Sequence, residues 1–314
     1  MEISPELLAA KDALADALES AMAFLPGVLG VDVGFRQEGV ELADDVVIRV
    51  LVADDSSIPF PLQQLIAGVD FPVAVVRREF TPLAGPDTAP HNPVRGGVTI
   101  RAEHSGFLVQ GGTLGGIAND TMFGGQVGVT CAHVIASLSE QGEIRQGDPV
   151  FQPGISRRIG ALHRWQDATD IAVFTFDAGV SIESTIADIG GFSGMARAKP
   201  GDKVRKRGRT TLLTTGVVSA IGLRPLGINT PANSFEIYTD DVAGQPILAE
   251  HGDSGSLVVN AAGQIVGIIT QKGIEFSSIA TIGSPPPGAI SAFATQMVSG
   301  DGFTGAADSV GISF

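Results

Sequence analysis

Leu7, Leu8, Leu14, Leu18 and Met22 recur near helical spacing at the start of the chain. The pattern predicts one amphipathic helix, with Ser4 as its N-cap, Pro5 at the first helical position and Glu6 in the first turn. Its apolar face either packs on the body of the protein or serves a partner or a second copy of the chain. The pattern then shortens. Residues 28–36 (VLGVDVGFR) and 45–52 (DVVIRVLV) read as strands, IPFPLQQLIAG as a short helix stopped by Gly68, and 71–79 (FPVAVVRRE) as a third strand. The stretch TPLAGPDTAPHNPVRGG that follows is too rich in Pro and Gly for regular structure and reads as a linker. From Val98 onward, short alternating runs stand between Gly-rich turns: TLGGIA, QVGVTCAHV, DPVFQPG, DIAVFTF, KVRKRG, TGVVSAIG, SFEIYTD, GSLVVN and QIVGIIT. Strand–helix–strand spacing is absent there, and chains of this kind usually manage their exposed strand rims by closing into barrels. The expected organisation is a helix plus small α/β unit over residues 1–84, a linker over 85–96 and a mainly β domain over 97–314.

Composition narrows the functional classes. With 314 residues, 44% of them hydrophobic, the chain can fill real cores. Its 20 Lys and Arg against 34 Asp and Glu give a net charge of −14, which repels polyphosphates and anionic lipid surfaces, so neither nucleic acid nor membrane is an expected partner. The single cysteine, Cys131, rules out an intramolecular disulfide and suggests a reducing compartment. Lys11, Asp12, Asp16 and Glu19 interrupt the N-terminal apolar residues, so a signal-peptide core is lacking, and no run nears the roughly 20 apolar residues of a membrane span. The expected location is cytoplasmic.

Three segments carry chemistry. VGVTCAHVIA (127–136) ends a β-run and places His133 where a short helix begins; ATDIAVFTF (168–176) puts Asp170 at the head of an apolar strand; EHGDSGSLVV (250–259) sets Ser254 in a glycine-flanked turn before another strand. A free hydroxyl is a poor nucleophile until an imidazole takes its proton and a carboxylate holds that imidazole, and these three residues supply each part. Gly252 and Gly255 let the chain around Ser254 turn its N–H groups inward, which assigns an oxyanion hole to the Gly252 and Ser254 amides. The chemistry needs no cofactor. No His or Cys pair has zinc-like spacing, no Asp-rich loop matches a calcium site, and no phosphate loop is present.

TCAHV, TDIAVF and GDSGS, in that order, resemble the His, Asp and Ser motifs of the chymotrypsin/trypsin-like serine peptidases. The separations of 37 and 84 residues fit a triad shared between two barrels. The resemblance spans about residues 97–300 and implies a double antiparallel β-barrel with His133, Asp170 and Ser254 in the cleft, hydrolysing protein or peptide substrates. The whole chain is also similar to the narrow-leaf-type trypsin-like proteins of plants and their bacterial relatives, through GTLGG, CAHV, QPG, GRTT and GDSGSL, which would imply an intracellular peptidase that forms homo-oligomers. No IVGG-like start precedes the first barrel, so activation through a new N-terminus is not expected, and Cys131 precedes the histidine where digestive enzymes have a cysteine after it. Cys131 reads as a small core residue.

Rival assignments exist for each position. His91, His104, His163 and His251 compete for the base, with His251 nearest in sequence to the serine; Asp167 competes with Asp170, whose place directly before IAVFTF favours it. Asp253 reads as a structural tie between the oxyanion turn and a nearby donor. The basic run Lys203–Thr211 reads as a solvated hairpin in an acidic chain rather than an anion site. Family alignment implies that Leu248, Thr270, Gln271 and Lys272 line the first substrate pocket. With no acidic residue six before Ser254, a preference for a small or apolar residue is expected over Lys or Arg. Other uses of such a chain are a pseudoprotease serving as a binding or assembly module, and an esterase or a peptidase that processes its own linker.

Overall fold

In the computed structural model, which describes residues 3–21, 27–38, 41–52, 60–77, 87–105, 107–108, 111–136, 144–226, 230–240, 247–275, 290–300 and 302–314, the first helical pattern becomes α1 (Pro5–Ala21). Ser4 caps it, its Oγ accepting from the Leu7 amide at 3.2 Å. Leu7, Leu14, Ala15 and Leu18 pack with Val31 and Val33 of β1 (Val28–Glu38), Ile48 and Val50 of β2 (Glu41–Val52) and Leu62 of α2 (Phe60–Ala67). The helix therefore covers the body of the protein. Lys11 breaks the amphipathic rule: it is 1% exposed, and its Nζ donates to the Gly222 carbonyl at 3.1 Å. Met22 lies outside the described residues.

The third strand, β3 (Val73–Arg77), pairs with β2 in parallel, while β1 and β2 are antiparallel. Residues 78–86, with the end of the expected third strand and the start of the expected linker, lie outside the described residues. The rest of that linker is not structureless. Asp87 accepts from Arg207 Nη1 at 2.7 Å, and Gln152 accepts from the His91 amide at 3.0 Å while donating to the Ala89 carbonyl at 2.9 Å. Val94–Gly96 (β4) then pairs in parallel with Ile182–Ile186 (β13). Pro and Gly deny this segment a long ladder, but side chains from distant strands satisfy its backbone groups and hold it in place.

The first barrel comprises β5 (Val98–His104), β6 (Phe107–Leu108), β7 (Gly112–Leu114), β8 (Gly116–Asp120), β9 (Gln126–Thr130), β10 (Pro149–Phe151), β11 (Arg158–Gln166) and β12 (Ile171–Phe176). The chain end adds α4 (Ala306–Val310) and β20 (Ile312–Ser313). The sheet runs β20-β8-β9-β12-β11-β10-β5-β6, and β7 returns onto β5; since only Gly115 separates β7 from β8, the sheet curls onto itself. The second barrel is a closed six-stranded ring, β14-β17-β18-β19-β16-β15 with β14 back on β15, formed by β14 (Lys203–Gly208), β15 (Leu212–Pro225), β16 (Ser234–Thr239), β17 (Leu257–Asn260), β18 (Ile265–Glu275) and β19 (Ile290–Gln296).

Leu257, Val259, Ile265 and Ile268 of the second barrel share one buried cluster with Val129, Cys131, Ile171 and Phe174 of the first, so the barrels pack through a common core. This is the chymotrypsin-like double barrel. The N-terminal unit is continuous with it, because β1 pairs antiparallel with β15 and carries the sheet outward to β2 and β3. A buried ionic cluster sits at that junction: Arg49 on β2 bonds both carboxylate oxygens of Asp32 (2.7 and 2.8 Å) and reaches Glu236 on β16 at 2.9 Å. Among the described residues no helix is long and apolar enough to cross a membrane.

Candidate active site

Strand β9 ends at Thr130, Cys131 continues in extended conformation, and a single turn, α3 (Ala132–Ile135), lifts His133 out of the sheet. Burial of Val134 and Ile135 fixes that turn in the first core. Asp170 follows a 3-10 turn (Asp167–Thr169) and adopts a left-handed φ of 49°, a conformation Asp tolerates better than most side chains. Its carboxylate bridges the histidine: Oδ1 accepts from the His133 amide at 3.0 Å and Oδ2 lies 2.6 Å from Nδ1. This pairing places the Nδ1 proton toward Asp170 and leaves Nε2 as the acceptor. Burial opposes charge on the ring, but the Asp170 charge and its hydrogen bond outweigh burial and raise the His133 pKa above the ordinary histidine value. Asp167 is exposed.

Ser254 stands in a turn with Gly252 at φ +100° and Gly255 at φ +93°, conformations that favour glycine. The turn is wedged between the barrels. On one side the Gly255 amide donates to the Ile269 carbonyl at 2.8 Å; on the other the Thr113 amide donates to the Ser254 carbonyl at 2.9 Å, and Thr113 Oγ1 donates to the Gly252 carbonyl at 2.6 Å. The Ser254 carbonyl and Val134 both come within 3 Å of where a Cβ on Gly112 would stand (2.8 and 2.6 Å), so the serine turn and the histidine turn meet across a position that only glycine fits. Among the described residues neither the Gly252 nor the Ser254 amide donates to a protein acceptor. The Ser254 hydroxyl donates to the Thr270 carbonyl at 3.4 Å and makes no hydrogen bond to His133.

The basic run forms the expected hairpin with β15 and keeps Lys203 and Arg205 exposed, but its other cations turn inward. Lys206 is 1% exposed, and its Nζ is 2.9 Å from Asp253 Oδ2. The same carboxylate accepts from the Thr210 amide (2.8 Å), the Thr211 amide (3.2 Å), Thr211 Oγ1 (2.6 Å) and the Glu250 amide (3.0 Å). Burial pushes the Asp253 pKa up, yet Lys206 and these donors more than offset it, leaving it below the ordinary carboxylate value. Arg207 is likewise drawn inward, to Asp87 and Asp188. Long-range acidic partners, invisible to local composition, turn Lys206 and Arg207 into interior counter-ions. Asp253 thus ties the serine turn to β14 and the residues after it, with Lys206 as its charged donor.

Of the residues expected to line the substrate pocket, Thr270 borders Ser254 through its carbonyl, with Gln271 and Lys272 continuing β18 beyond it. Gln271 accepts from Thr230 Oγ1 at 2.7 Å, and Lys272 Nζ pairs with Glu250 at 2.6 Å, a partner the sequence did not single out. Leu248 is buried in the second core, and its carbonyl accepts from Thr214 at 2.8 Å. The rival histidines are otherwise engaged: His91 with Asp87, His104 with Asp148 and His163 with Gln146. Burial pushes the His251 pKa down to about 4, and its Nδ1 is buried without a partner. Cys131, His133 and Asp170 bring one donor atom each within 4.8 Å of one another. Burial and the Asp170 charge push the Cys131 thiol pKa well up.

No protein-family model and no curated protein matches the chain. Among solved structures it is similar to a glutamic acid specific serine protease (20% identity, TM-score 0.45, covering 70% of this chain and 99% of the other). It is also similar to the chymotrypsin of Cellulomonas bogoriensis (18%, TM-score 0.42, 65% and 92%) and to the MamO protease domain of Magnetospirillum magneticum (15%, TM-score 0.35, 64% and 92%). At such identities the likeness concerns the fold alone.

Proposed function

We propose that the chain is a serine endopeptidase working through an acyl-enzyme intermediate. The observation that carries this reading is the Asp170 carboxylate held on both the amide and the Nδ1 of His133, next to a serine in a glycine turn braced by a buried ion pair. Ser254 Oγ attacks the substrate carbonyl while His133 Nε2 takes its proton; the Gly252 and Ser254 amides stabilise the oxyanion. His133 then returns that proton to the leaving amine. Water, deprotonated by the same nitrogen, cleaves the acyl-serine ester and frees the acid. For the first step the hydroxyl swings from the Thr270 carbonyl toward His133, a tightening common when a resting serine site receives substrate. The substrates are proteins or peptides in a reducing cytoplasm.

The hydroxyl's present bond to Thr270 favours one other reading, a pseudoprotease used for binding. A fluorophosphonate probe separates the two. Labelling of the wild type that is lost in Ser254→Ala supports the enzyme, and the appearance of truncated chains in the wild type alone would add self-processing. A wild type that is folded by circular dichroism and takes up no label sinks the peptidase reading.

A further inference from the structure

Arg209 ends the basic run without the counter-ions that Lys206 and Arg207 find. It is 6% exposed; its Nε is buried and unpartnered, and no hydrogen bond joins its guanidinium to a described residue. Its backbone is pinned on both sides. The Arg209 amide donates to Thr113 Oγ1 at 3.0 Å, its carbonyl accepts from the Asp87 amide at 2.7 Å, and the next amide, of Thr210, donates to Asp253 at 2.8 Å. From this rigid base the side chain lies over the oxyanion turn, with Nε 2.2 Å and Cζ 3.0 Å from where a Cβ on Gly252 would stand. After burial itself, the nearby positive charge of Arg101 most disfavours charge on Arg209, and the Asp253 carboxylate, already engaged by Lys206, offsets this only in part. A buried guanidinium nitrogen without a hydrogen-bond partner is costly. An unpartnered polar group beside a candidate nucleophile calls for an explanation, and a ligand of opposite charge would supply one.

The two flanks of the serine turn indicate which part of a substrate would arrive there. Strand β18 borders Ser254 through Ile269 and Thr270, whereas Thr113 and Arg209 border it from the other side. A peptide whose acyl half lies along β18 leads its leaving half over Thr113 toward Arg209. We propose that Arg209 is the carboxylate-binding group of a leaving-side subsite, so that the preferred substrates carry an acidic side chain or a free C-terminal carboxylate shortly after the cleaved bond. This rests on the endopeptidase reading. It adds a specificity determinant on the side of the scissile bond opposite Leu248, Thr270, Gln271 and Lys272.

The test uses the full chain and quenched fluorescent peptides that differ only after the scissile bond, Glu against Gln, each with a free or an amidated C-terminus. The wild type should cleave the Glu peptide or the free-acid peptide with kcat/KM about tenfold or more above the neutral amide, the range of one charge-assisted hydrogen bond. The two arms identify which carboxylate is bound. In Arg209→Gln the acid-to-neutral ratio should fall to about one, while Arg209→Lys should keep part of it; because the ratio is taken within each variant, a general loss of activity does not affect it. Equal cleavage of acidic and neutral peptides by the wild type, or a preference that persists in Arg209→Gln, overturns this inference and leaves the peptidase reading intact. No cleavage of any peptide by a chain whose Ser254 does not label overturns the peptidase reading itself, and no cleavage by one that does label removes the endopeptidase reading and this inference with it.

Discussion

Replacing Lys206 with Met should both destabilise the chain and slow Ser254. The substitution keeps the aliphatic stem but removes the cation 2.9 Å from Asp253, in a pair whose side chains are 1% and 0% exposed. Breaking a buried pair by deleting one partner costs about 3–5 kcal/mol, because the other charge stays behind. Asp253 would still accept from Thr210, Thr211 and Glu250, which places the expected loss at the lower end, about 3 kcal/mol, read by urea unfolding at neutral pH. The turn that presents the Gly252 and Ser254 amides is anchored through this carboxylate, so fluorophosphonate acylation should slow by up to roughly 100- to 1,000-fold, the worth of an oxyanion donor. The double variant Lys206→Met, Asp253→Asn should recover part of the stability, since an amide oxygen can still accept from the Thr210 and Thr211 amides while its NH2 leaves the Glu250 N–H without an acceptor. pH supplies a further check. The folded pKa of Asp253 is lowered, so its stabilising contribution is present above the unfolded value near 3.9 and is lost as pH falls through the lower folded value. Without Lys206 that loss should begin at higher pH. A single variant within about 0.5 kcal/mol of the wild type, the range of ordinary surface changes, with unaltered acylation would refute the claim that Lys206 balances Asp253.

Acylation of the wild type by the probe should rise with pH through a midpoint above about 6.5, since the raised His133 pKa keeps the base protonated longer. In Asp170→Asn the midpoint should move down and the rate fall by roughly 10⁴-fold, whereas an unshifted midpoint would mean that Asp170 does not govern His133. Arg49→Met strands two buried carboxylates, Asp32 and Glu236, and should cost about 3–5 kcal/mol in urea unfolding; a loss below about 1 kcal/mol would show that the cluster adds little at the junction of the N-terminal unit and the second barrel.

Much of this protein is decided locally and is therefore legible in one dimension. The Ser4 cap with the Leu7, Leu14 and Leu18 spacing determines α1, and short β-branched or apolar runs bounded by turn residues mark β9, β12 and β17. Gly252 and Gly255 announce a turn that few other residues could make, and the sequence motifs of His133 and Asp170 single out two residues that the fold brings into contact. Strand β11, with its mixed RIGALHRWQ pattern half in and half out of the core, carries no such signal. Other features depend on partners far along the chain. Whether Lys206 is solvated or interior depends on Asp253, 47 residues away, and whether 87–96 is slack or clamped depends on Gln152 and Arg207. The N-terminal unit reads as separate in sequence, yet β1 adds to β15 and Arg49 reaches Glu236 across 187 residues. Periodicity and turn chemistry reflect the energetics of near neighbours, which a sequence displays directly. The burial of a charge is settled by its long-range partner, and only the folded chain chooses that partner.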